Sequence, residues 1–166
     1  MAEETDNTPS RRVLSGEKEY EAAISEVIDL AQRSLHIFDV DLAAGGYGTA
    51  QRAEALRAFL MRNRSNRIVV VLHETDHLTR CCPRLMDLLR LYSHAITVLQ
   101  TQEHGRVASD PMVIADEAHY VHRFHADGAR ALCALHDHAG ARQLEERFAQ
   151  LMEASSPAVF ATTLGL

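Results

Sequence analysis

Three carboxylates and two histidines fall where a metal-assisted hydrolase would need them. Asp39 and Asp41 stand two apart at the end of the apolar run from Leu35 to Phe38, so both can point to one side of a strand's end. Paired carboxylates of that kind hold Mg²⁺. His73 and Glu74 follow the run "RIVVVL", and His77 lies four residues beyond His73, the spacing of two ligands on one helical turn. Asp39, Asp41, His73, Glu74 and His77 are therefore the candidate metal ligands, and their chemistry would be activation of water against a phosphoester. The stretch "HETDH" also matches H-E-x-x-H letter for letter. That pattern binds zinc in the middle of a helix; here it directly follows a strand-like run, which places His73 at the strand's end and argues against a zinc protease.

The other reactive residues have less company. Ser109 lacks the G-x-S-x-G turn that exposes a nucleophilic serine. Cys81 and Cys82 are adjacent and Cys133 is remote, which is neither a disulfide framework nor a zinc knuckle; they read as buried thiols. His119, His122 and His125 are three apart, and on a strand His122 faces away from the other two. Of the 17 basic residues Lys18 is the only lysine. Any mechanism needing a lysine after residue 18 is excluded, because arginine neither gives up its proton nor has the ammonium's shape. No cofactor is expected.

Apolar periodicity locates the elements that would carry these residues. Tyr20, Ala23, Ile24, Val27, Ile28 and Ala31 repeat at helical spacing and predict a helix over 17–33. Strands are expected over 34–40, 67–72 and 95–100, and helices over 50–63, capped by Thr49, and 82–93, opened by Pro83. The runs "PMVIAD" and "HYVHRF" flank a short acidic turn and predict a hairpin over 111–124, followed by a helix over 138–154. Helices alternating with apolar strands specify an α/β fold, a mostly parallel mixed sheet covered by helices on both faces. Residues 1–15 read as a flexible tail and 16–166 as one domain. The apolar C-terminal stretch "SSPAVFATTLGL" is expected to dock, on its own domain or on a partner.

A net charge of −6 argues against a general polyanion binder. The local arginines Arg57, Arg62, Arg64 and Arg67 read as a solvated helix end, so nucleic acid is not an expected partner. No apolar stretch is long enough to cross a bilayer, and the acidic start is unlike a secretory signal; a cytoplasmic protein without membrane contact is the expectation.

Two families come into view. "IFDVDLAAGG" resembles the strand and D-x-D motif of haloacid-dehalogenase-type phosphatases, but that family also needs a later lysine, which this chain lacks. The order of strands, the hairpin at 111–124, the helix carrying Phe148 and the closing "SSPAVFATTLGL" resemble one half of the phospholipase D superfamily, and more narrowly a set of small bacterial phospholipase D-like domains without known activity. Active members of that superfamily carry H-x-K-x4-D, in which the histidine attacks phosphorus and the lysine steadies phosphate charge. Aligned on Asp116, this chain has Ser109 and Pro111 in those two places. A second register, His104, Arg106 and Asp110, substitutes arginine for lysine and is one residue short. The resemblance implies a phospholipase D-like half-domain without its chemistry, acting in binding or assembly and pairing with itself as a homodimer. The alternative is a metal-assisted phosphoesterase or nuclease built on the acidic and histidine residues at the strand ends.

Overall fold

A computed structural model of the chain describes residues 6–158 and residue 160. Its centre is the run of β-branched and apolar residues that the sequence marks most strongly. Strands β2 (Ser34–Asp39), β3 (Arg67–Leu72) and β4 (Ile96–Thr101) pair in parallel, joined by α2 (Ala50–Arg62) and by α3 (Asp76–Cys81) with α4 (Pro83–Leu91). Helix α1 (Glu17–Leu30) precedes β2, and Tyr20, Ala23, Ile24, Val27 and Ile28 are its buried stripe. The Thr49 hydroxyl accepts from the Arg52 amide to cap α2, and Pro83 opens α4. The connection from β2 to α2 passes through Gly45 and Gly46, whose φ of 88° and 74° only glycine adopts without strain.

The rest of the sheet is antiparallel. Strands β5 (Met112–Ala115) and β6 (His119–Arg123) form the expected hairpin, and β5 adds to β2. Beyond them come β7 (Arg130–Leu135) and β1 (Ser10–Ser15), while β8 (Ser155–Pro157) closes the other edge, giving the order β1-β7-β6-β5-β2-β3-β4-β8. The mixed α/β sheet agrees with expectation, but its parallel part is confined to β2, β3 and β4. Helices α1, α2 and α4 cover one face; α5 (His138–Glu153) alone covers the other, through Ala141, Leu144, Phe148 and Leu151.

Two segments differ from the sequence reading, and a third decides between the alternatives it left open. From Ser10 the expected loose tail is the edge strand β1, paired along its length with β7. Only Leu14 of that strand is buried, so no apolar run betrayed it. Strand β7 falls where the sequence reading placed no element, between the hairpin and the last helix; its Ala131 and Cys133 face one core and Ala134 the other, and such small residues give little periodic signal. The C-terminal stretch docks on its own sheet: β8 pairs with β4, the Ala158 amide donates to Val98, and Phe160 packs against the larger core. The remainder of that stretch lies outside the described residues.

Candidate functional site

The carboxyl ends of β2, β3 and β4 lie together at one end of the sheet, where α/β folds gather their ligands. Alternation along the strands divides the residues there between two faces. Asp39 follows Leu35 and Ile37 toward α1 and α2, whereas His73 and Thr101 lie on the α5 side with Phe38 and Val71.

Asp39 is 4% exposed, and its carboxylate accepts from the Asp41 amide at 3.3 Å. Burial pushes its pKa up to about 6, against the lowering effect of the backbone amides around it. Asp41 turns back to accept from the Ala43 amide at 2.9 Å. His73 is held at both nitrogens, Nδ1 at 2.7 Å from the Thr101 hydroxyl and Nε2 at 2.5 Å from the Ala108 carbonyl. A carbonyl only accepts, so Nε2 carries the hydrogen and Nδ1 accepts from Thr101. The ring thus pins the loop 102–111 to the sheet. Glu74 pairs with Arg106 at 2.8 Å. His77 lies on α3 and His104 in the single 3₁₀ turn Glu103–Gly105. Among the described residues no three His, Cys, Asp or Glu side chains come together as a metal site.

Ser109, Pro111 and Asp116 do not share a site. Ser109 and Pro111 precede β5, and their carbonyls accept from Ala126 and Arg123. Asp116 follows β5 at the opposite end, on the order of 20 Å away for seven extended residues. It occupies the hairpin turn with Glu117, both with left-handed φ near the values a two-residue hairpin turn requires. Its carboxylate accepts from the amides of Gln32, Arg33 and Ser34 at 2.7, 2.8 and 3.0 Å. Those amides enter β2, so Asp116 welds the hairpin to the start of the parallel sheet.

A cluster that sequence reasoning missed stands on the α5 side, beside Ser109. His122 of β6 directs Nε2 to Asp110 at 2.7 Å, and Arg147 of α5 clamps the same carboxylate through both terminal nitrogens, one at 2.7 Å. Burial opposes ionisation of Asp110, but the bonds from Arg147 and His122 outweigh it and hold the carboxyl below its ordinary range. The sequence had singled out Asp110, in the short register with His104 and Arg106, and His122, on the strand face away from His119 and His125, but not as partners. Strand alternation placed His122 on this face; nothing in the sequence placed Arg147 opposite it, because α5 meets the hairpin only through tertiary packing. The three residues line an open groove of about 580 Å³ together with Ser109, Val107 and Phe124. Val107 is 87% exposed and Phe124 50% exposed on this groove. No hydrogen bond joins Ser109 to His122 among the described residues, so the serine has no base in place.

The same helix carries a second pair. His36 of β2 directs Nδ1 to Glu145 at 2.6 Å and stacks on Phe148 at 4.7 Å. Helix α5 is thus tied to the sheet through Glu145 and Arg147, two residues apart, as well as through its apolar stripe.

Residues 16–160 match a family described as a domain of unknown function, DUF7931. The chain belongs to that family. Its fold is that of the phospholipase D family. The DUF7931 chain superposes on Nuc from Salmonella typhimurium, a phospholipase D family member, with a TM-score of 0.68 at 14% identity over 92% of this chain and 100% of the other. It is similar to NucT from Helicobacter pylori with a TM-score of 0.63 at 10% identity, covering 91% and 100% of the two chains. It is also similar to TrmBL2, an archaeal chromatin protein with its own mode of DNA binding, with a TM-score of 0.68 at 14% identity, covering 95% of this chain and 57% of that one. Among curated proteins nothing matches. Ser109 lines the groove, and Pro111, two residues on, is buried where the chain enters β5.

Proposed function

We propose that this DUF7931 domain is a catalytically silent phospholipase D-like module that works by binding and assembly, pairing with a second copy of itself through the groove beside α5. The exposed pair Val107 and Phe124 carries the reading. Two large apolar side chains stand in solvent on a groove whose polar floor is already satisfied: Asp110 is bonded to Arg147 and His122, and nearby His73 to Thr101 and Ala108. A floor with its hydrogen bonds internally closed offers little to a substrate, while apolar groups beside it gain from being covered.

Sedimentation of the full chain tests the assembly. At micromolar concentration the wild type is expected as a dimer, and the double variant Val107→Asp, Phe124→Asp as a folded monomer. A monomeric wild type, or a double variant that still dimerises, removes self-assembly through this groove. Silence is tested against bis(p-nitrophenyl) phosphate with and without Mg²⁺. Turnover abolished by Ser109→Ala overturns it. Turnover that needs Mg²⁺ and is lost in Asp39→Asn and Asp41→Asn would replace it with the metal-assisted phosphoesterase.

A further inference from the structure

The end of the sheet opposite the groove gathers arginines that no carboxylate neutralises. Arg33 precedes β2, Arg62 ends α2, Arg64 lies in the α2–β3 turn and Arg67 begins β3; all four are exposed. Hydrogen bonds tie the segments that carry them into one surface. The Arg62 guanidinium donates to the Ala31 carbonyl at 2.6 Å, the Arg67 amide to the Arg33 carbonyl at 3.3 Å, and the Arg67 guanidinium to the Arg64 carbonyl at 2.8 Å. Among the described residues none of the four forms an ion pair, whereas Arg11, Arg12, Arg57, Arg90, Arg106, Arg123 and Arg147 all do.

The charges around this surface are asymmetric. Asp116 and Glu117 border it on one side, across β2, and the Asp116 oxygens are occupied by backbone amides. His94 borders it on the other side, where the Ile68 amide donates to the Ala95 carbonyl. Asp29, on the nearest helix, faces the separate groove under β1 with Glu26 and His136. The net charge of −6 therefore hides a local positive end.

We infer that this arginine end binds the phosphate backbone of double-stranded nucleic acid. Guanidinium forks match phosphate oxygens in pairs, and four of them, on a helix end, a turn and two strand starts, gather that many cations on one surface. The surface offers no exposed Phe, Tyr or Trp to stack on unpaired bases, which sets it apart from single-strand platforms. Its exposed apolar side chain is Met61, with Leu91 at the end of α4 beyond the bordering His94, too little to anchor a lipid surface. Contacts of this kind position without reading sequence. The inference stands apart from the groove and does not depend on dimerisation there.

Fluorescence anisotropy of the full chain with a labelled 20-base-pair DNA duplex provides the test. Binding is expected in the range of about 10⁻⁴ to 10⁻⁶ M, weakening about 100-fold between 50 and 200 mM salt if about four phosphates are neutralised. The variant Arg33→Ala, Arg64→Ala should lower the log–log salt slope by about 1.8, since each phosphate contact contributes about 0.9. The control Arg80→Ala, Arg84→Ala removes equal charge from α3 and α4, where both residues are exposed, and should leave the slope unchanged. No binding at 50 mM salt overturns the inference. So does equal weakening in the control, or tighter binding to phosphatidylserine vesicles than to the duplex.

Discussion

Single carboxylates at the ends of the sheet set the stability of the backbone around them. Asp116 is the clearest case, because its carboxylate closes three amide donors at once. Asp116→Ala leaves them to water or unpaired and should destabilise the chain by about 2 kcal/mol, read from the urea midpoint. Asp116→Asn, which keeps an acceptor and tolerates the left-handed backbone, should recover part of the loss. A chain as stable with alanine as with aspartate would show that the amides find other partners. Asp39 behaves in the opposite sense. Its folded pKa is raised from 3.8 to about 6, so the folded chain holds a proton that the unfolded chain releases in that interval. Stability contributed by this group is present below about pH 4 and is lost as pH rises to about 6. Asp39→Asn should therefore equal wild type near pH 4 and exceed it at pH 7 by up to about 3 kcal/mol, measured as paired urea titrations at the two pH values. An identical difference at both pH values would place the titration elsewhere.

At the scale of elements, the sheet owes its width to strands with almost no apolar signature. β1 buries Leu14 alone, and yet it covers the whole length of β7 and brings Arg11 to Asp137, the residue that caps α5. Removing residues 1–15 strips that cover and leaves the β7 edge open to pairing with other chains. The truncated chain is expected to unfold at lower urea and to form larger species in light scattering; unchanged stability would mean that β1 merely lies on a complete fold. α5 shows a related economy of contacts. It buries one apolar stripe, and Glu145 and Arg147 reach His36 and Asp110 beside it. Gly140 in its first turn leaves room for Tyr120 and Asp137, where a side chain's Cβ would collide with both.

For the whole molecule, the two ends of the sheet separate two kinds of surface. One end carries the groove with its closed polar floor and exposed Val107 and Phe124; the other carries arginines that form no ion pair among the described residues. The composition averages them, and an overall charge of −6 describes neither. Self-association through the groove should also make the melting temperature rise with protein concentration, a dependence that the Val107→Asp, Phe124→Asp chain should lack.

The sequence by itself determined the strongly periodic parts. "RIVVVL" is the buried strand β3 to the residue, the stripe from Tyr20 to Ile28 is the buried face of α1, and "SDPMVIAD" enters a hairpin that turns at Asp116. That no lysine follows residue 18 was equally plain. Tertiary structure alone decided the rest. It put Asp39 and His73 on opposite faces, set Ser109 and Asp116 at opposite ends of one strand, and brought Arg147 across from α5 to Asp110. The reason is physical: periodicity records which face of an element is buried, whereas a site is made by residues distant in sequence that meet only when the sheet order and the packing of α5 are established.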